Sequence, residues 1–299
     1  MTLASVLIPT FDHASTLGFA VESVLAQTER DFEVLIVGDG VTAEVREVAE
    51  GLVAKDPRVR FFDFPKAPHH GEIHRHTAIQ QSLGDVIAYL CDDDLLMPEH
   101  IADMCHLLRT HDFVQSLNGQ FDPDGVMHHY AGDLANPDWI ARLCDFSRDY
   151  NFVSITGTAH TRAFYDRVDA PWETTPEGIF PDRYQWGRML RTGARGATSG
   201  RMTALSFPTH QDGRENWTSE QRAAEVERWA KLVRGPGAQA EIDRRVTAAS
   251  ARELVTVTGM ALHLQEQLAD AERRLSTVTD SRWWKLGRRL RPRLQGRER

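Results

Sequence analysis

The chain has 299 residues, of which 41% are hydrophobic and 26% charged, and its formal net charge is -8. This size allows one large soluble domain with an appendage, and no apolar run reaches the roughly 18 residues that a membrane-spanning helix needs. The N-terminus lacks the basic stretch of a secretory signal, and the three cysteines include no CxxC pair, which argues against a disulfide framework or a cysteine zinc site. We therefore expect a cytoplasmic protein.

The charge is unevenly distributed along the chain. Residues 273–299 carry ten Lys or Arg against two Asp or Glu, a net charge of +8 that leaves -16 for the rest. A protein that grips nucleic acid with its main domain needs a basic surface there. The acidic body therefore argues against a nucleic-acid partner.

The first half of the chain alternates short apolar runs with longer amphipathic ones, a pattern typical of βαβ units around a mainly parallel sheet. It predicts strands at 3–9, 32–37, 59–64 and 86–91, and helices at 14–27, 43–54, 72–82 and from 98 to about 109. Loops at 9–12, 38–42 and 91–95 then open at the carboxyl edge of the sheet, where such folds bind ligands.

The second half is less regular. Between residues 112 and 208 we expect one or two further strands and a helix over 183–191, followed by a helix over 219–233 that ends at GPG. Residues 1–235 are predicted to form one domain, with a regular half at 1–115 and an irregular half at 116–235.

Three consecutive aspartates, Asp92, Asp93 and Asp94, follow the last of the predicted strands. Carboxylates in such a loop are the hard oxygen ligands that Mg²⁺ and Mn²⁺ prefer, and the bound cation can hold a diphosphate. The alternative is an acidic cap for the helix that begins near Pro98. From these residues alone both interpretations stay open.

The stretch VLIPTFDHASTLGFAVESVLAQTERDFEVLIVGDG, followed at a distance by GDVIAYLCDDDLLMP, resembles the family 2 glycosyltransferases. These are inverting enzymes with the GT-A fold. The resemblance covers residues 3–115 and, more weakly, 150–210. It implies an α/β fold, with a mainly parallel central sheet flanked by helices, and a nucleotide-sugar donor. The domain would then have a nucleotide-binding half at 1–115 and an acceptor half at 116–235. A C-terminal helical extension lies outside the resemblance.

The resemblance also implies roles for residues at the strand ends. Pro9, Thr10 and Phe11 stand where the family holds the nucleobase and ribose, and Arg75 stands where the family often has an arginine near the nucleotide. Asp39 matches an acid that contacts the base, so we expect a UDP- or dTDP-linked sugar.

The aspartate cluster matches the family's DxD element, which binds the ribose and a metal ion. Asp92 and Asp93 are therefore expected at the nucleotide, and Asp92 and Asp94 at Mn²⁺ or Mg²⁺. His210, in a loop that we expect to close over the donor, is a further candidate metal ligand.

The stretch GIFPDRYQWGRML resembles the family's (E)DxxxW element, with Trp186 four residues after Asp182. Asp182 is then the base that takes the proton of the acceptor hydroxyl, so that direct displacement inverts the anomeric centre. The alternative is that Asp182 only caps a helix, with Glu177 and Asp166 as other candidate bases.

Four histidines and one tryptophan are further candidates for the same site. His69, His70, His74 and His76 are expected to line the donor pocket or begin a solvated helix rather than bind zinc. Trp172 is the tryptophan best placed along the chain to stack on an acceptor, although aromatic residues are more often core.

Departures from the family pattern at Gly38, Val41, His76 and Pro181 keep one alternative open, a non-catalytic nucleotide- or sugar-binding scaffold of the same fold. A nucleotidyltransferase is disfavoured because TFDHAS lacks a glycine-rich phosphate loop. The acceptor is expected to be a glycan or a lipid-linked sugar in surface glycan or cell-wall polysaccharide synthesis.

The C-terminal segment has its own pattern. Residues 254–278 follow a heptad a/d seam within a helical segment at 236–280, which predicts packing against the same domain or association with a second copy of the chain. The basic tail at 281–299 contains two tryptophans, which is typical of peripheral contact with an anionic membrane face, here the inner face, or of a solvated tail.

Overall fold

The computed structural model describes residues 4–130, 132–147, 150–208 and 213–281. The chain divides into two compact units, residues 1–247 and residues 248–299. His210 and the basic tail after Ser281 lie outside the described residues. The domain division predicted at residue 235 stays a prediction.

The strands are β1 (Ala4–Thr10), β2 (Phe32–Asp39), β3 (Val59–Phe64), β4 (Val86–Tyr89), β5 (Leu95–Leu96), β6 (Phe113–Gln115), β7 (Gly119–Phe121), β8 (Met127–His129), β9 (Thr158–Thr161), β10 (Gly196–Thr198) and β11 (Ala204–Leu205). The helices are α1 (Ala14–Leu25), α2 (Ala43–Lys55), α3 (Glu72–Gln80), α4 (His100–Leu107), α5 (Pro137–Cys144), α6 (Arg162–Arg167), α7 (Pro181–Leu190), α8 (Ser219–Arg234) and α9 (Ala238–Asp280).

A seven-stranded sheet forms the centre of the first unit, with strand order β10-β6-β9-β4-β1-β2-β3. Strands β3, β2, β1 and β4 are parallel neighbours, as are β10 and β6, whereas β9 runs antiparallel between β4 and β6. This confirms the predicted mainly parallel sheet flanked by helices. The helix over 183–191 and the helix that ends before GPG are also present, as α7 and α8.

The expectation of only one or two strands between residues 112 and 208 was wrong, because β6 to β11 all lie there. Each of these strands has two to four residues. So short a strand carries no readable alternation of apolar and polar residues, and its pairing depends on neighbours far away in sequence.

Successive residues of the central strands face opposite sides of the sheet, and each side carries a buried core. Val6 and Ile8 of β1 pack into one core, while Leu7 between them packs into the other. Both faces are therefore covered, which explains why the strands read as continuous apolar runs. It also leaves the carboxyl edge of the sheet as the open side of the first unit.

The second unit contains most of α9. The side chains of the predicted seam are exposed there, with Leu254 at 68% and Leu268 at 61%. Association through residues 254–278 stays a prediction. Among the described helices, including this long one, none combines the length and apolar character needed to cross a membrane.

Candidate active site

A cleft of about 670 Å³ opens at the carboxyl edge of the central sheet. We call it the main cleft. It is lined by every residue that the sequence assigned to the nucleotide and by the candidate base: Pro9, Thr10, Phe11, Asp39, Arg75, Asp92, Asp93 and Asp182. These residues are far apart in sequence and meet here because parallel strands end on the same side.

One end of the main cleft is built around Asp39, the last residue of β2. Its Oδ1 accepts a hydrogen bond of 2.7 Å from the Ala67 backbone N–H, and its Oδ2 pairs with Lys66. The Lys66 ammonium also lies 5.2 Å from the centre of the Phe11 ring. Gly71 has a φ of 64°, and a β-carbon there would overlap the Asp39 carboxyl group. Glycine is required at this position by both the backbone conformation and the space.

The first two aspartates of the cluster contact different cations of the chain. Nδ1 of His13 donates to Oδ1 of Asp92 at 2.9 Å, and a guanidinium N–H of Arg222 on α8 donates to Oδ2 of Asp93 at 2.9 Å. Burial raises the pKa of Asp92, and the hydrogen bond to Asp92 raises the pKa of His13 to about 9. Each of these two buried carboxylates is therefore paired with a cation of the chain.

Asp94 faces a different environment. Its carboxylate accepts hydrogen bonds from the Thr156 hydroxyl, from the Ser206 hydroxyl at 3.2 Å and from the Phe207 backbone N–H at 2.8 Å. Burial, followed by repulsion from Asp93, raises its pKa to about 7. Asp94 lines a second cavity of about 350 Å³, which we call the side cavity.

The cluster fits a hard divalent cation. His13, Asp92 and Asp93 offer ligand atoms within 4.8 Å of one another, as do Cys91, Asp93 and Asp94. Carboxylate oxygens are the ligands that Mg²⁺ and Mn²⁺ prefer, and a cation would favour the charged forms of Asp92 and Asp94, which burial disfavours. The sequence paired Asp92 with Asp94 as ligands, whereas the structure groups Asp92 with His13 and Asp93.

Arg75, on α3, is a buried cation on the wall of the main cleft. Its guanidinium lies 4.5 Å from the centre of the Trp172 ring, and within the described part of the chain its Nε and Nη1 find no hydrogen-bond partner. Burial lowers the pKa of Arg75. Buried donors without partners cost free energy, so an anionic ligand is what this position favours.

Asp182 lies in the first turn of α7, where Phe180 is the N-cap residue, so the alternative that Asp182 itself caps the helix was wrong. Its oxygens accept hydrogen bonds from the Asn151 side chain at 3.1 Å and from the Arg183 backbone N–H at 2.7 Å. Burial raises the pKa of this carboxyl group. Asp182 lines both the main cleft and the side cavity.

The other candidates separate in the structure. His69 and His70 line the main cleft, whereas His74 stacks on Phe64 and His76 contacts the Tyr165 hydroxyl at 2.9 Å. Trp172 is a core residue, the interpretation favoured for aromatic residues, and does not offer a face to an acceptor, because only 2% of it is exposed and its indole N–H donates to the Tyr89 hydroxyl.

Two residues of the site, His13 and Arg222, were not predicted from the sequence. His13 directly follows the first strand-end loop, TFDHAS, so its position beside Phe11 offered a signal. Arg222 gave none, because it lies 129 residues from its partner Asp93. Arg222 also donates to Glu225, which is held in turn by Arg214, so a buried ion-pair network supports the aspartate cluster.

Comparison with known proteins agrees with this architecture. The family model described as Glycosyl transferase family 2 matches residues 5–168, more than half of the chain. An uncharacterized glycosyltransferase of Rickettsia felis is 33% identical over 115 residues, which cover 38% of this chain and 19% of that protein. The chondroitin synthase of Pasteurella multocida is 33% identical over 131 residues, 42% of this chain and 13% of the synthase.

A Campylobacter jejuni protein named GalNAc(5)-diNAcBac-PP-undecaprenol beta-1,3-glucosyltransferase is 26% identical over 100 residues, 32% of this chain and 31% of that protein. The first curated relatives are therefore much longer than the matched segment. Among solved structures, S. aureus TarS 1-349 in complex with UDP superposes with a TM-score of 0.52 at 17% identity, covering 85% of this chain and 72% of TarS 1-349. Together with the family match, this likeness of fold shows that the chain belongs to glycosyl transferase family 2 and has the GT-A fold.

Proposed function

We propose that this protein transfers a sugar from a UDP- or dTDP-linked donor to an acceptor hydroxyl, with inversion at the anomeric carbon and with Mn²⁺ or Mg²⁺ as cofactor. The observation that carries the proposal is that Asp182 lies on the wall shared by the main cleft and the side cavity. The main cleft contains the residues expected to bind the nucleotide. A base between donor and acceptor must stand between their two binding sites.

The surroundings of Asp182 suit a base. Burial raises its pKa, so its carboxylate binds a proton more strongly than an exposed aspartate does. Hydrogen bonds from Asn151 and from the Arg183 backbone fix the direction of its oxygens. In the proposed reaction Asp182 accepts the proton of the acceptor hydroxyl as that oxygen attacks the anomeric carbon, and the nucleoside diphosphate leaves on the opposite face.

Charged groups in the main cleft are suited to the leaving group. The buried guanidinium of Arg75 supplies hydrogen-bond donors for negatively charged oxygens. Asp92 and Asp93 are the residues that would hold the cation, with Asp94 beside them. When bound, the cation neutralises charge that develops on the diphosphate as the glycosidic bond breaks.

The side cavity is the proposed acceptor site. Asn118, Tyr130 and Ser154 line it with amide and hydroxyl groups, which hydrogen-bond sugar hydroxyls. Two relatives bear the names chondroitin synthase and GalNAc(5)-diNAcBac-PP-undecaprenol beta-1,3-glucosyltransferase, and these names favour a glycan or a lipid-linked sugar as the acceptor. Surface glycan synthesis is the process that such acceptors suggest.

The first experiment measures binding and turnover together. UDP and dTDP are titrated calorimetrically with and without Mn²⁺, and UDP-sugars are screened for nucleotide release and for the anomeric configuration of the released sugar by NMR. Metal-dependent binding of UDP or dTDP with inverting turnover is the expected result. Binding without turnover of any donor, with or without a glycan acceptor, would favour the non-catalytic scaffold.

An Asp182→Asn variant tests the base. It keeps the shape of the side chain, so we expect kcat to fall about 10²- to 10⁴-fold while nucleotide affinity stays within about twofold. Asp166→Asn is the matched control, because Asp166 pairs with Arg162 on the surface helix α6 and lines neither cavity. A variant Asp182→Asn with wild-type kcat would overturn the assignment.

A further inference from the structure

His13 stands at the start of α1 on the wall of the main cleft, yet its side chain makes no capping hydrogen bond to that helix. The ring is directed to the aspartate cluster instead, with Nδ1 2.9 Å from Oδ1 of Asp92. Its other contact with an acid is looser, since Nε2 lies 3.7 Å from the exposed carboxylate of Asp12. The contact with the buried Asp92, rather than helix capping, therefore directs the His13 ring into the aspartate cluster.

We propose that His13 is a nitrogen ligand of the divalent cation in the main cleft, together with Asp92 and Asp93, and that the bound cation displaces to solvent the proton that Nδ1 donates to Asp92. The inference rests on the metal dependence in the proposed function. The ligand atoms of these three residues lie within 4.8 Å of one another. Adjacent ligands of one octahedral ion would be about 3 Å apart, so the three side chains would draw together by up to about 2 Å to hold a single cation.

A second observation indicates that this cleft is built for a ligand. Arg75 lines the same cleft, only 6% of it is exposed, and its Nε and Nη1 have no hydrogen-bond partner in the described part of the chain. A buried guanidinium with two nitrogens that lack partners, near a group of carboxylates, fits a ligand that brings both signs of charge. A nucleoside diphosphate with a divalent cation has this character.

An imidazole ligand has a consequence for the choice of metal. Mg²⁺ strongly prefers oxygen ligands. Mn²⁺ accepts an imidazole nitrogen more readily than Mg²⁺ does, and later transition metals such as Co²⁺ bind it more strongly still. A site of His13, Asp92 and Asp93 should therefore prefer Mn²⁺ or Co²⁺ to Mg²⁺. A His13→Asp variant, with oxygen ligands alone, should shift the preference toward Mg²⁺.

The test is pulsed EPR of the full chain loaded with Mn²⁺ and UDP. A coordinated imidazole gives a ¹⁴N modulation, which we expect in the wild type and not in His13→Gln. We also expect His13→Gln to bind Mn²⁺ at least about tenfold more weakly, the scale found when support for a metal ligand is removed. His70→Gln is the control, because His70 lines the same cleft outside the ligand group and its loss should leave the modulation intact.

The outcomes separate this inference from the proposed function. Bound Mn²⁺ without ¹⁴N modulation in the wild type would overturn the role of His13 and leave metal dependence standing. Modulation that persists in a folded His13→Gln would do the same. If no Mn²⁺ binds in the presence of UDP, metal dependence itself is wrong, and the role of His13 falls with it. The wild-type spectrum decides the question even if a variant fails to fold.

Discussion

The buried ion-pair network behind the aspartate cluster gives a sharp prediction for stability. Glu225 on α8 accepts hydrogen bonds from Arg214 at 2.6 and 2.9 Å and from Arg222 at 2.9 Å. The side chains of Glu225 and Arg214 are 2% and 0% exposed. Replacing Glu225 by Ala would leave two buried guanidinium groups without the anion that they share.

Breaking one partner of a buried ion pair costs about 3 to 5 kcal/mol, because the remaining charge is uncompensated in a medium of low polarity. For a domain of this size that corresponds to a fall in Tm of roughly 6 to 20 °C. Glu227, two residues along the same helix, is the matched control. It pairs with Lys231 at the surface, where the side chains are 49% and 72% exposed, and because water screens such a pair its loss should change stability little.

The assay is urea denaturation of the full chain, with Glu225→Ala and Glu227→Ala compared at pH 7. Equal losses of unfolding free energy in the two variants would refute the reasoning from burial. Glu225→Gln, which keeps an acceptor oxygen, should lose less than Glu225→Ala. Because Arg222 also holds Asp93 and the Phe207 carbonyl, we expect Glu225→Ala to weaken Mn²⁺-dependent UDP binding as well.

Two further predictions concern pH and backbone conformation. Burial lowers the pKa of His100 to about 3, whereas a histidine in the unfolded chain has a pKa of about 6.5. The unfolded chain therefore binds the proton more readily, and stability is lost as pH falls below about 6.5. The expected loss between pH 7 and pH 5 is about 2 kcal/mol. The raised pKa of Asp94 acts in the opposite sense, because the folded chain then binds the proton more readily. The effect of His100 is therefore measured as the difference between the wild type and His100→Asn in urea denaturation at several pH values. The same pH dependence of stability in both proteins would contradict the prediction. Gly71→Ala should destabilise the fold and weaken UDP binding, because the new methyl group overlaps Asp39. Gly51→Ala is the control. Its methyl group meets open space in the middle of α2, and it should stabilise the protein by up to about 1 kcal/mol. Thermal melts and UDP titration of both glycine variants check this, and a neutral Gly71→Ala would count against the close packing around Asp39.

Much of the nucleotide-binding half could be predicted from the sequence. Its first four strands, β1 to β4, are four to eight residues long and mostly apolar, its helices have a clear 3.6-residue pattern, and Phe11, Asp39 and Asp92 in the main cleft lie at or shortly after strand ends. Parallel strands carry these ends to one edge by geometry alone. Position along the chain was therefore enough to bring Phe11, Asp39 and Asp92 together.

The partners of the acidic side chains were decided by the tertiary structure. Asp92 contacts His13, Asp93 contacts Arg222, and Asp94 turns to hydroxyls beside the side cavity, although the three are adjacent in sequence. The local sequence determines the spacing of apolar residues in each helix and strand and the face to which successive side chains point, because both depend only on neighbouring residues. Which charge meets which across 79 or 129 residues depends on how the helices and short strands pack, and no local pattern records that.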